Sequence, residues 1–156
     1  MVNRQKSKAA HLSDRAFLGF QIRRGRIVWT DKALKRFKER VQEITSRSRG
    51  VSMRVLLTQL RKYVVGWLNY FGISQAYREI PELDQWLRRR VRLCFWKQWK
   101  RPRTRRRHLI RLGIHPTEVS KATRSHRGYW FMAGTSIVQR ALDNRWLAER
   151  GVPSLK

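Results

Sequence analysis

The stretch MRVLLTQLRKYVVGWLNYF, residues 53–71, decides the fold. Leu56, Leu57, Leu60, Tyr63, Val64, Trp67, Leu68 and Phe71 recur at the spacing of one helix face. The apolar arc is wide, as the central helix of a bundle requires. Arg54, Thr58, Arg61, Lys62 and Asn69 fall on the narrow opposite face. Gly66 and Asn69 interrupt the most apolar part, which is well short of the ~20 residues that span a bilayer. No terminal amphipathic anchor or lipidation signal accompanies it, so no membrane partner is expected.

Upstream, Leu34, Phe37, Val41 and Ile44 mark a first helix running to about residue 47 and capped by Thr30 or Asp31. A loop over 46–52 contains Gly50. Earlier still, Phe17-Leu18-Gly19-Phe20-Gln21-Ile22 and Arg26-Ile27-Val28-Trp29 flank Arg23-Arg24-Gly25. Two short β-prone runs around a glycine-containing turn predict a hairpin.

Downstream, Pro81 suits the first turn of a third helix, with Glu82 and Asp84 near the positive end of its dipole. Leu83, Leu87, Val91 and Cys94 share one face. Arg88, Arg92 and Trp99 share another, flanked by Phe95 and Trp96. Pro102 ends this helix, and Arg103, Arg105, Arg106 and Arg107 form the densest cation cluster, read as a basic loop. Pro116 opens a short helix. A final helix over 136–150, with Ile137, Ala141, Leu142 and Trp146 inward, stops at Gly151. The expected fold is mainly α: a short N-terminal β-hairpin, a three-helix bundle and smaller C-terminal helices. Its units are residues 1–30, 31–101 and 102–156.

The chain of 156 residues carries 37 Lys+Arg against 10 Asp+Glu, a formal charge of +27. Its 41% apolar content and seven Trp argue for a folded core rather than a basic tail. With too few carboxylates to neutralise the cations, the partner is a polyanion. An arginine-rich surface interleaved with aromatics suits RNA, whose unpaired bases stack on both. The candidate RNA contacts are Lys6, Lys8, Arg23, Arg24 and Arg26 around the hairpin, and Arg36, Arg40 and Arg47 along the first helix. To these are added Arg61 and Lys62 on the second helix, Arg88, Arg89, Arg92, Trp99, Lys100 and Arg101 on the third, and the 103–107 cluster.

Protein-supplied chemistry has little to build on. Asp14, Asp31, Asp84 and Asp143 are far apart in sequence, so no paired carboxylates suggest a metal-dependent nuclease or polymerase. Glu39 and Glu43 share a helix face with Lys35 and Arg36 and read as ion-pair partners. His11, His108, His115 and His126 lack ligand spacing. The single Cys94 excludes an intrachain disulfide and reads as core. No cofactor and no catalytic residue are expected, and the chain reads as a binder rather than an enzyme.

Particular residues carry a family resemblance. Val2-Asn3-Arg4-Gln5-Lys6-Ser7-Lys8 with Phe17-Leu18-Gly19-Phe20 resembles the end of the palm in group II intron reverse transcriptases. Arg61-Lys62-Tyr63-Val64-Val65-Gly66-Trp67-Leu68-Asn69-Tyr70-Phe71 resembles the Gly-Trp-x-x-Tyr-Phe signature of their maturase-specific domain. Gly128-Tyr129-Trp130, Ala141-Leu142-Asp143-Asn144 and Gly151-Val152-Pro153-Ser154-Leu155 are similar to that domain's tail. The resemblance implies a helical thumb that grips structured intron RNA, with splicing chemistry and magnesium belonging to the RNA. It implies that Gly66 permits close helix approach and that Trp67, Tyr70 and Phe71 are core. The family's Tyr-x-Asp-Asp polymerase motif lies upstream of this chain's first element. The chain is therefore expected to act alone as a splicing cofactor; the alternatives are the thumb part of a split or truncated reverse transcriptase that needs a separate palm, and a generic basic RNA-binding structural protein. A bacterial cytoplasm or an organellar matrix is the expected location.

Overall fold

The computed structural model describes residues 16–76 and 78–155, a short hairpin followed by helices. Strands β1 (Phe20–Arg23) and β2 (Arg26–Trp29) pair antiparallel, Phe20 opposite Trp29 and Arg23 opposite Arg26. Arg24 and Gly25 turn the chain at positive φ, 53° and 73°. A second tight turn precedes β1, closed by Phe17 and Phe20 exchanging backbone hydrogen bonds of 2.8 and 2.9 Å. At this turn Gly19 has a φ of +86°, and a Cβ there would lie 3.1 Å from the Phe71 ring. Both the conformation and the space require glycine. Trp29 ties the hairpin down: its backbone N–H donates to Ser74 Oγ (3.1 Å) and its indole Nε1 to Glu79 Oε2 (2.7 Å).

Helix α1 (Asp31–Ile44) is capped by Thr30, whose Oγ1 accepts from the Ala33 N–H at 3.1 Å. It buries Ala33, Phe37, Val41 and Ile44 and stops at Ile44, short of the expected residue 47. Helix α2 (Met53–Phe71) has the expected limits, with Ser52 as its cap. Phe37 stacks its ring against Trp67 and Tyr63, with centroids 4.5 and 5.8 Å apart. Yet α2 buries fully only Leu56, Leu60, Val64 and Trp67, and Tyr70 is 49% exposed. Gly66 faces open space, so the close helix approach expected there does not occur.

The central position belongs to α3 (Glu79–Gln98), which buries ten residues. Five helices follow: α4 (Pro102–Arg111), α5 (Pro116–Arg124), α6 (Tyr129–Ala133), α7 (Ser136–Ala141) and α8 (Asn144–Glu149). Residues 102–111, expected as a basic loop, are helical. Pro102 sits at the first helical position, where its fixed φ and missing N–H cost nothing. The single helix expected over 136–150 is two helices. The Asp143 carboxylate accepts the Trp146 N–H at 2.7 Å and caps α8, which breaks the run after Ala141. Gly151, at φ +81°, closes α8 as expected: its own N–H reaches the Ala148 carbonyl and that of Val152 the Leu147 carbonyl.

The face of α3 that carries Arg88, Arg92 and Trp99 is covered, which corrects the expectation that it is a solvent-facing RNA surface. Arg88 is 7% exposed, Arg92 6% and Trp99 5%. Arg92 Nε donates to the Leu142 carbonyl (2.8 Å) and its Nη2 to Asn144 Oδ1 (3.0 Å), bridging the break between α7 and α8. Arg88 Nε pairs with Asp84 Oδ2 at 2.6 Å, and Asp84 Oδ1 accepts the Leu155 N–H at 3.0 Å. Trp99 packs among Phe95, Trp96 and the parallel ring of His108, 4.6 Å away. Helical spacing separates a polar face from an apolar one but does not show whether later segments cover it.

Two outcomes follow from this core. Arg88→Glu, which sets a second carboxylate against Asp84 away from water, is expected to cost about 3–5 kcal/mol in urea denaturation. A normal midpoint would remove Arg88 from the list of structural residues. Burial pushes the Cys94 thiol up to about 11. At pH 8 the folded protein is expected to resist alkylation that proceeds readily once denaturant exposes the thiol.

Candidate nucleic-acid interface

The carboxylates are nearly all committed. Five ion pairs form among the described residues: Lys35–Glu39, Arg40–Glu43, Arg88–Asp84, Arg140–Glu118 and Arg145–Glu149. Glu79 accepts from Trp29, and Asp143 caps α8. Among the described residues most guanidinium and ammonium groups therefore have no carboxylate partner, and three groups of them border cavities.

The hairpin carries the first. Arg23, Arg24 and Arg26 are exposed and line, with Arg78, Gln75 and Glu79, an open cavity of about 770 Å³. The second runs along α1 and α2. Arg36, Arg61 and Lys62 are exposed, and Arg40 is held by Glu43. Arg36 and Lys32 border a groove of about 580 Å³ walled by Tyr63, Trp67, Tyr70 and Phe71. Burial pushes the Tyr63 hydroxyl above its ordinary range, and nearby Arg40 pulls it back in part.

The third lies where the 46–52 loop meets the end of α3 and the start of α6. Arg47, Arg49, Lys97 and Lys100 border a pocket of about 330 Å³ whose other walls include Met53, Leu56, Cys94 and Tyr129. Backbone carbonyls left open at the end of α1 hold the cations in place. Arg49 donates to the Ile44 carbonyl at 3.0 Å, and Lys97 donates to that of Arg47. The Arg47 guanidinium lies over the Tyr129 ring, 5.4 Å from its centroid. Arg101, the residue before α4, and Arg103, Arg106 and Arg107 in its first two turns are also exposed.

Two other candidates are half-buried. Arg105 donates Nε to the Trp99 carbonyl (2.9 Å) and covers the Trp96 ring. Arg89 forks onto the Trp130 carbonyl at 3.2 and 3.0 Å and lies over that ring. Lys6 and Lys8 lie outside the described residues.

Sequence reasoning missed Arg49, Arg78, Lys32 and Tyr129. Arg49 had a signal, standing two residues from Arg47 in a predicted loop. Arg78 and Tyr129 join their groups only through the fold. Glu39 and Glu43 are ion-paired as expected, although the partner of Glu43 is Arg40. His108 is pushed below its ordinary range by burial and by Arg107 and Arg111. Among the described residues no group of three or more His, Cys, Asp and Glu is placed to hold a metal ion, and no helix is long and apolar enough to cross a membrane.

Residues 34–113 match the family model of the group II intron, maturase-specific domain. The match runs from α1 through α4 and takes in just over half of the chain. No curated protein matches the chain.

Exposed and buried cations are expected to behave oppositely on mutation. Arg103→Glu with Arg107→Glu should leave the folding free energy within about 0.5 kcal/mol per site, because both side chains stand in solvent. A large drop in melting temperature would show that the start of α4 depends on contacts of these two arginines.

Proposed function

The chain belongs to the group II intron maturase-specific domain family, and from that premise we propose that it binds folded group II intron RNA and stabilises its splicing-active form. One observation carries this reading: exposed cations without carboxylate partners gather over the hairpin, the α1–α2 face and the segment from the 46–52 loop into α4. Each phosphate held there releases condensed counterions, which supplies most of the affinity and makes it fall steeply with salt. Guanidinium groups serve such sites well, because a planar fork meets two phosphate oxygens at once. Splicing chemistry and magnesium belong to the RNA, and the protein selects among RNA conformations by binding one of them better. The location that goes with this proposal is a bacterial cytoplasm or an organellar matrix.

A second reading is favoured by a specific patch. Phe17, Leu18, Ile27, Tyr70 and Ile73 are exposed at the end where the hairpin meets α2. The Tyr70 hydroxyl donates to the Leu18 carbonyl at 3.0 Å, and the Gln75 N–H to that of Ile27 at 2.8 Å, which brings these segments together. Contiguous apolar surface of this kind fits a protein partner, and a reverse transcriptase palm subunit is the partner this reading assigns.

The deciding experiment is splicing of the cognate intron at near-physiological magnesium. Faster or more complete splicing with the protein than without it is expected. No gain would overturn the stand-alone reading, and a gain that appears only when a palm subunit is added would establish the second. In direct binding, Arg103→Glu with Arg107→Glu is expected to weaken intron RNA affinity and to flatten its salt dependence by roughly 0.7–0.9 of a log unit per lost phosphate contact.

A further inference from the structure

We infer that the pocket between the 46–52 loop, the end of α3 and Tyr129 receives one unpaired RNA nucleotide, its base against Arg47 and Tyr129 and its phosphate at Lys97 and Lys100. The inference rests on the RNA-binding reading and gives that surface a specific occupant.

Size and lining carry it. The cavity of about 330 Å³ sits at the small end of ligand pockets, roughly 300–1,000 Å³. Met53, Leu56 and Cys94 contribute apolar walls, whereas Arg47, Arg49, Lys97 and Lys100 surround them with charge. No carboxylate lines the pocket. Apolar walls ringed by cations match a flat base joined to an anionic phosphate. They do not match an ion alone, which has no use for the walls.

The cations are not equivalent. Arg49 is spent on the Ile44 carbonyl and on Gln59 Oε1. Lys97 keeps two of its three protons after serving the Arg47 carbonyl. The Arg47 guanidinium and the Lys100 ammonium donate no hydrogen bond among the described residues, so both are open to a ligand. Arg47 and Arg105 both lie over the Tyr129 ring, 5.4 and 5.7 Å from its centroid, and a base entering the pocket adds a flat face to this cation–ring group on the Arg47 side. Ser46 and Gln98 offer both donors and acceptors to the base edge. A base inside a duplex is stacked on its neighbours and cannot enter, so the occupant is a loop, a bulge or a strand end. An acidic peptide satisfies the cations but brings no flat face to the Arg47–Tyr129 pair.

The test uses the full chain with two probes, a short single-stranded RNA carrying 2-aminopurine and a blunt RNA duplex of equal length. Binding of the single strand is expected to quench 2-aminopurine, as stacking does. Arg47→Ala and Tyr129→Leu are each expected to weaken single-strand binding about tenfold with little change for the duplex. Arg47 is exposed and its side chain holds nothing else in place, so its variant keeps the test valid if Tyr129→Leu fails to fold. Equal losses for both RNAs would overturn the pocket while leaving a general RNA-binding surface intact. Displacement of the single strand by polyglutamate as readily as by unlabelled RNA would reassign the pocket to an acidic peptide. Binding of neither RNA would overturn the RNA-binding reading itself and this inference with it.

Discussion

Two guanidinium groups one helical turn apart, Arg88 and Arg92, are buried together on α3, and one of them is ion-paired, Arg88 with Asp84. The rest of the molecule is arranged around that constraint. Burying a charge costs several kcal/mol unless hydrogen bonds replace the lost water. Burial and the neighbouring Arg88 both push Arg92 below its ordinary range, with Asp143 and Asp84 opposing them. The fold answers with backbone: the Leu142 carbonyl, freed where α7 ends, accepts from Arg92, and Asn144 completes the fork. A lysine has one ammonium and no fork, so it cannot span these two acceptors in the same geometry. Asp84 performs the matching task on its other side, holding Arg88 with one oxygen and the Leu155 N–H with the second. The middle of α3 thereby fixes the C-terminal helices and the tail.

The same shortage of anions explains why arginine and aromatic residues occur together. With 10 carboxylates against 37 cations, few guanidinium groups can find an acid. Several lie over rings instead: Arg89 over Trp130 at 4.2 Å, Arg105 over Trp96 at 4.7 Å, Arg127 over Phe131 at 4.3 Å and Arg150 over Trp146 at 3.4 Å. A ring face attracts a cation without supplying a formal charge. It also keeps the side chain near the surface, where the charge stays partly hydrated. An Arg-aromatic surface is thus a way to fold a strongly basic chain while leaving its charge available.

What was legible in the sequence was local. The limits of α2, the Thr30 cap and the hairpin turn each depend on residues within a few positions of one another, and all appear as read. What was not legible was partly long-range and partly local. The Arg88–Arg92 face looked solvent-exposed because α6, α7 and α8 lie at least 37 residues further along the chain. The break after Ala141 has a local signal in Asp143, a cap residue inside the expected run over 136–150. Residues 103–107 read as a loop because Pro102 stops the third helix, whereas the same proline also starts α4. Of the site, the exposed arginines were legible as a group, and the pocket that joins Arg47, Lys97 and Lys100 to Tyr129 was not.

The buried and exposed cations perform different tasks on one element. The middle of α3 is closed by its contacts to Leu142, Asn144 and Leu155, whereas its last turn and the two residues beyond carry Lys97 and Lys100 into the pocket. A net charge of +27 opposes compaction, and the opposition is strongest where like charges crowd without anions. That place is the region shared by the 46–52 loop, the end of α3 and the start of α4. On the proposed reading, RNA neutralises that region on binding and stabilises the folded state by mass action. The core holds Arg88 through Asp84 and Arg92 through Leu142 and Asn144, with Arg88 Nη1 unpartnered, and on the proposed reading the exposed cations are left for the RNA to satisfy.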